Sequence, residues 1–326
     1  MKKNYNMYEF TYYNPNEYYS KTNKIKNSLI VIIIVLTLVA LLVYQIFFRK
    51  DKQITTVSSV VTLELEEQKK MEEERKEEEA RLEAERIEQE RIQKEEEERK
   101  AREAKLPKLT NEGIQNIENI YHSEEKRVFL TFDDGPSNVT HQILDTLKEN
   151  DIKATFFVLG CNVKIFPETT KRIYDDGHFI ANHGYTHVYS SIYSSKEAVL
   201  DEFNRCNDAV KQVLGEPEYN SHLFRFPGGL PGGKYADLKK EAKQLLNENG
   251  IVNIDWNALS GDAEKQHPTP EYLMERIRTT SEGKNSVVCL MHDAAAKKTT
   301  ADTLQEIINY YKEQGYVFKS FYDIIK

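Results

Sequence analysis

From residue 125 to residue 326 the sequence predicts an α/β domain on a parallel sheet, either doubly wound or closed as a barrel. The apolar runs RVFLTF, ATFFVLG, HFIAN, LFRFP, IVNIDW, SVVCLM and YVFKSF alternate with helical patterns at 138–150, 163–176, 196–214, 236–249, 270–282 and 299–313. The conspicuous polar residues gather at the ends of these runs, where parallel α/β folds build their sites. No GxGxxG or Walker pattern opens any of the helices, so a nucleotide-binding version of the fold is not supported.

The segments before this domain differ in character, which the averages conceal. Charged residues make up 30% and mean hydropathy is −0.65, yet 39% of residues are hydrophobic. Residues 1–27 are polar and Tyr-rich without helical or strand period, and are expected to be a disordered cytoplasmic tail. Residues 28–48 hold twenty consecutive uncharged residues, Leu29–Phe48. As a helix that run is ~30 Å long, the thickness of a bilayer core. A cleaved leader would have a shorter apolar core and a small-residue site after it, whereas Arg49-Lys50 follows directly, so an uncleaved membrane anchor is expected. Five lysines on the amino side (Lys2, Lys3, Lys21, Lys24, Lys26) against Arg49, Lys50 and Lys52 place the amino terminus inside the cell. The carboxyl-terminal domain is then extracellular, on a single-pass protein of the cell membrane.

Residues 64–105 contain 18 Glu and 12 Lys or Arg with no Gly or Pro, and pairs such as Glu72–Lys76 and Glu95–Arg99 support a helix at i,i+4. Apolar Leu65, Met71, Leu82, Ile87 and Ile92 hold no heptad, so a solvated helical stalk of ~63 Å is expected, with at most a weak coiled coil or self-association. Pro107 ends it, and 106–124 are expected to be a linker. The net charge of −8 gives no global basic excess for nucleic acid. Cys161, Cys206 and Cys289 lie far apart, which excludes a disulfide scaffold and a thiolate zinc cluster.

The chemistry collects after the strands of residues 125–326. The first ends Asp133-Asp134-Gly135-Pro136 and the third runs His183-Gly184-Tyr185-Thr186-His187. The fourth ends Arg225-Phe226-Pro227, the fifth Asp255-Trp256 and the sixth His292-Asp293. Singly, each has a plain explanation as a turn, a core histidine or a surface ion pair. Jointly, two His and one Asp make a three-ligand set that leaves a divalent metal open to water and substrate. The second Asp suits a general base and Arg225 its partner; His292 suits a general acid, with Asp255 expected to raise its pKa. Hydrolysis is the economical inference. A metalloprotease would want HExxH, with Glu where this chain has Gly184.

TFDDGP, HGYTH, RFPGG, IDW and LMHD, in that order, make residues 125–326 resemble the polysaccharide deacetylases, carbohydrate esterase family four, also called the NodB-homology domain. The resemblance implies a distorted (β/α) barrel and metal-dependent deacetylation of an N-acetylated sugar polymer. By position it implies Asp134, His183 and His187 as ligands of Zn²⁺, or of Co²⁺ or Mn²⁺. It implies Asp133 as base with Arg225 beside it, and His292 as acid with Asp255 as its tuner. Trp256 and Leu290 would line the acetyl pocket, and the Gly228 N–H would face the oxyanion. Two positions depart from the pattern: Gly228 lacks the aromatic side chain often found there, and Val252 stands where the family often has a second Asp. With the anchor, the resemblance points to cell-wall peptidoglycan and its N-acetylglucosamine. N-acetylmuramic acid, chitin-like chains, exopolysaccharide and acetylated xylan are the alternative substrates, and a non-catalytic wall-binding module is the alternative class.

Overall fold

The computed structural model describes residues 15–47 and 54–325, with side chains at 28–45, 60–104 and 106–325. The chain divides into two compact units, Met1–Lys94 and Glu95–Lys326. Helix α1 (Pro15–Phe47) carries the apolar run. Its Ser28–Gln45 window has a mean hydropathy of 2.7, long and apolar enough to cross a membrane by length and composition. Thr37, the polar residue inside it, turns its hydroxyl back onto the Ile33 and Ile34 carbonyls, both at 2.9 Å. Of the expected tail 1–27, residues 15–27 are helical, and residues 1–14 lie outside those described. Extending a formed helix costs far less than starting one, and Pro15 suits its first turn. Helix α2 (Ile54–Lys105) spans 52 residues and starts before the charged run, because Ile54–Leu63 has no helix breaker. Its exposed pairs, such as Arg75 between Glu72 and Glu79, lie at i,i+3 and i,i+4 on the solvated helix surface, where salt and water screen them.

The segment expected to be a linker is folded. Thr110 accepts a hydrogen bond from the Gly113 N–H at 3.0 Å and caps helix α3 (Asn111–Glu118). Ile117 and Ile120, three apart on one face, are buried among Phe129, Phe321 and Ile324. Arg127 also donates to the Ile120 and His122 carbonyls at 3.1 and 3.2 Å.

Strand β1 (Arg127–Asp133) then starts the expected alternation. It is followed by α4 (Thr140–Glu149), β2 (Thr155–Val158), α5 (Gly160–Ile165), α6 (Pro167–Asp175), β3 (Phe179–Asn182), α7 (Tyr189–Ile192) and α8 (Lys196–Leu214). The second half runs β4 (Leu223–Phe224), α9 (Ala236–Glu248), β5 (Val252–Asn253), β6 (Ala258–Leu259), α10 (Pro270–Ser281), β7 (Ser286–His292), α11 (Lys298–Glu313), β8 (Val317–Lys319) and α12 (Tyr322–Ile325). Every pairing is parallel, in the order β5-β4-β3-β2-β1-β7-β6. β8 takes the lower part of β1, Arg127–Phe129, while β2 takes the upper part, Thr131–Asp133. Among the described residues no ladder joins β5 to β6, so the barrel is a curled half-barrel, in line with the distorted form expected.

Strand alternation decides what the barrel encloses. Val128, Leu130 and Phe132 of β1 face the helix layer, with Phe156, Ile180, Val287, Cys289 and Met291 from its neighbours. The intervening residues face inward: Phe129, Phe157, Phe179 and Val288 pack with Phe321 into an apolar floor. Asp133 and His292 are the last inward positions of β1 and β7, and they lie directly opposite in register. Truncating Ile120→Ala should cost about 2–4 kcal/mol in urea denaturation if 106–124 is part of the domain's core. A change within about 0.5 kcal/mol would return the segment to the status of a linker.

Candidate active site

Arg225 follows β4 and is fully buried. Its guanidinium lies 3.9 Å from the Phe157 ring centroid, on top of the aromatic floor. Nη1 donates to Asp133 Oδ1 and Thr131 Oγ1, each at 2.8 Å, while Nε and Nη2 donate to the Ile254 and Asp255 carbonyls at 3.2 and 3.1 Å. Asp133 is thus held by a charge-assisted bond at the mouth of the barrel. Burial pushes its carboxyl above the usual carboxylate range, and Arg225 and His292 oppose that push. A buried carboxyl with a raised pKa is a stronger base than a solvated one.

Beside it stand Asp134, His183 and His187, whose ligand atoms lie within 4.8 Å of one another. Asp134 Oδ1 is 3.5 Å from His183 Nε2 and 3.4 Å from His187 Nε2. That oxygen is buried and has no hydrogen-bond partner. An orphaned carboxylate oxygen facing two imidazole nitrogens fits a divalent cation. His183 is oriented for that role: its Nδ1 donates to the Arg225 carbonyl at 2.8 Å, leaving the Nε2 lone pair toward Asp134. Burial lowers its pKa to about 3, so the ring is neutral and free to ligate. Asp134 and His187 adopt positive φ, 73° and 58°, a conformation held only where the surroundings enforce it.

Asp293 supplies part of that enforcement, and nothing in the sequence assigned it a role. It is buried directly after His292, and burial raises its carboxyl pKa to about 7. Its N–H donates to the Asp133 carbonyl at 3.1 Å, its Oδ2 accepts from Thr140 Oγ1 at 2.6 Å, and its carbonyl accepts from Ser137 Oγ at 2.6 Å. A Cβ on Gly135 would collide with that carboxyl group, so the turn carrying Asp134 requires glycine there.

The tuner of His292 is not Asp255 but Asp262. His292 Nδ1 meets Asp262 Oδ1 at 2.8 Å, and the His292 N–H meets Asp262 Oδ2 at 2.8 Å. Thr300 Oγ1 donates to the same Oδ2 at 2.8 Å. Burial alone would lower the His292 pKa, but the bond and charge of Asp262 outweigh it and push the ring up to about 9. The ring therefore keeps its proton at neutral pH, with Nδ1 engaged and Nε2 left for chemistry. Asp255 instead accepts the Leu230 N–H with both oxygens at 3.2 Å, which fastens the turn containing Gly228.

Gly228 is exposed, and its N–H has no protein partner among the described residues. The space a side chain at Gly228 would enter is taken by the first residue of α7: its Cβ would lie 2.6 Å from the Tyr189 hydroxyl. Trp256 packs behind the turn, its indole 5.7 Å from the Arg225 guanidinium and against Gly229. Leu290 faces inward on β7, two residues before His292, and is almost wholly buried. One mouth thus gathers three residues that could hold a metal ion, the buried Asp133 carboxyl, the His292 imidazole and the Gly228 N–H.

A polysaccharide deacetylase family model matches residues 121–252. The peptidoglycan-N-acetylglucosamine deacetylase of Bacillus cereus is 32% identical over 204 residues, covering 61% of this chain and 71% of that protein. This chain belongs to the polysaccharide deacetylase family. The peptidoglycan-N-acetylmuramic acid deacetylase PdaA of Bacillus subtilis is 28% identical over 225 residues, 67% of this chain and 79% of that protein. Among solved structures, a Streptococcus mutans CE4 esterase superposes with a TM-score of 0.58 at 32% identity, covering 66% of this chain and 92% of that one.

For a polysaccharide deacetylase with this arrangement, kcat/KM should fall above pH about 9 as His292 loses its proton. Removing the charge in Asp262→Asn takes away what raises that pKa, so the alkaline limb should move down by a pH unit or more. Asp255→Asn should lower the rate without moving the limb. A shift in the second variant and none in the first would restore Asp255 as the tuner.

Proposed function

We propose that this chain is a divalent-metal-dependent hydrolase that removes N-acetyl groups from the N-acetylglucosamine of peptidoglycan. The observation that carries the proposal is the orphaned Asp134 Oδ1 between His183 and His187, next to Asp133 and its register partner His292. Two nitrogens and one oxygen form a donor set typical of catalytic Zn²⁺, with Co²⁺ or Mn²⁺ as substitutes. When bound there, the ion supplies Lewis-acid polarisation and a lowered pKa for water.

The chain's own groups then divide the work. Asp133, held by Arg225, takes a proton from the attacking water as the new C–O bond forms at the acetyl carbon. The Gly228 N–H donates to the oxyanion of the tetrahedral intermediate. His292 Nε2–H gives its proton to the sugar nitrogen as the C–N bond breaks, leaving acetate and a free amine. Trp256 and Leu290 lie where they can form an apolar wall for the methyl group.

The choice of polymer is supported by two relatives named for deacetylation of peptidoglycan, one at N-acetylglucosamine and one at N-acetylmuramic acid. The apolar run of α1 supports placement at the cell membrane as a single span. The lysine count before it favours an amino terminus inside, with the domain on the side where the polymer lies.

Acetate release should be measured from N-acetylated peptidoglycan, chitin oligomers and acetylated xylan, with and without a chelator. We expect the fastest release from peptidoglycan, its loss on chelation, and a fall of roughly 10²–10⁴ in folded Asp133→Asn. Chelator-insensitive release, or near-normal turnover in that variant, would overturn the mechanism. Faster release from chitin or xylan would overturn the substrate.

A further inference from the structure

The two histidines of the candidate cation site sit on one turn, His183–His187, between β3 and α7. Its backbone has to satisfy several polar groups inside the protein while His187 holds φ 58° and Gly184 holds φ 90°. The carbonyl side is met by α5: Gly160 N–H donates to the Gly184 carbonyl at 3.0 Å and Cys161 N–H to the Tyr185 carbonyl at 3.1 Å. The Gly184 N–H goes to Asn182 Oδ1 at 2.9 Å. The His183 N–H goes to the Val158 carbonyl at 3.0 Å, and three further donors converge on one side chain. Glu202 Oε2 accepts the Tyr185 and Thr186 N–H groups, each at 2.7 Å, and Oε1 accepts the Thr186 hydroxyl at 2.9 Å. Thr186 Oγ1 in turn accepts the Val188 N–H at 3.2 Å, just past His187.

Glu202 lies mid-way along α8, and its residue is 2% exposed. A carboxylate this buried is costly unless its oxygens are satisfied, and here three donors of one turn satisfy them. The helix that carries it is firmly set, with Ser195 capping its start at 3.1 Å from the Ala198 N–H and Gly215 ending it in the left-handed conformation. Arg205 stands 3.8 Å from Oε1 and 4.2 Å from the Tyr185 ring centroid, closing the other side of the turn. The turn is therefore clamped between α5 and α8 by bonds made within the protein.

We propose that Glu202 is a positioning residue for the cation site: it presets the His183–His187 turn so that both imidazoles face Asp134 without ordering on binding. The inference rests on the metal reading of Asp134, His183 and His187. Outer groups that orient ligands typically change metal affinity by 10–100-fold when removed. Glu202→Gln keeps the shape and one acceptor oxygen but removes the charge that strengthens the bonds from the Tyr185 and Thr186 N–H groups, so the turn is held less firmly.

The test is Zn²⁺ titration against a competing chromophoric chelator, using the full chain stripped of metal in detergent, with the thermal midpoint of the metal-free protein measured in parallel. We expect Zn²⁺ affinity to fall 10–100-fold in Glu202→Gln and a few-fold in Thr186→Val, which removes one of the three bonds. Acetate release at saturating Zn²⁺ should return to within about twofold of the unaltered chain, because Asp133 and His292 are untouched. A lowered thermal midpoint with unchanged affinity would assign Glu202 a purely structural role and overturn the inference. If Glu202→Gln does not fold, unchanged affinity in folded Thr186→Val overturns it in the same way. An unaltered chain that binds no Zn²⁺ would sink the metal reading itself, a result distinct from either.

Discussion

A guanidinium with no access to water sits at the centre of this half-barrel, and the site is arranged around its needs. Taking Arg225 out of water costs several kcal/mol, and that cost is offset only by a full set of acceptors and a paired charge. Asp133 and Thr131 from β1, and the Ile254 and Asp255 carbonyls from the β5–β6 connection, provide them. The flat face rests on Phe157, so the same side chain joins the apolar floor to the polar mouth. Three separate parts of the sheet are thereby fixed relative to the base. Removing either partner would leave a buried charge unpaired, which is the strongly destabilising case.

Asp133 and His292 lie side by side across the β1–β7 register, and their surroundings shift them separately. Burial raises the Asp133 carboxyl above the usual carboxylate range, and the charge and hydrogen bond of Arg225 restrain the rise. Burial would lower His292, but Asp262 reverses the sign and keeps it protonated up to about pH 9. The two neighbouring groups are thus shifted by different surroundings, Arg225 acting on one and Asp262 on the other.

Much of the site was legible because strand ends and alternation are local properties. Asp133-Asp134 and His292 could be placed at one mouth from apolar runs and a parallel order, and the two histidines share a short turn. The partner of His292 was not legible. Asp262 follows β6, a two-residue strand with no alternation to reveal it, in a Ser-Gly-Asp run that reads as an ordinary turn. Asp255 beside Trp256 looked more conspicuous, yet it serves the Gly228 turn. Glu202 was hidden for a related reason: one Glu in an amphipathic helix is normally a solvated residue, and its burial is purely tertiary. By contrast, α3 left a readable signal in its Thr110 cap and in Ile117 and Ile120 three residues apart, which Pro107 and the neighbouring charges obscured.

The claim that Arg225 sets the state of Asp133 is tested most directly by following the Asp133 carboxyl carbon by ¹³C NMR as a function of pH, in the metal-free protein and in Arg225→Lys. A lysine ammonium has no planar fork with which to reach Thr131, Asp133 and two carbonyls at once. The account predicts a midpoint above the ordinary 3.8 in the unaltered protein and a further rise in the folded variant. An identical midpoint in both proteins would contradict it and leave burial alone in control of the base.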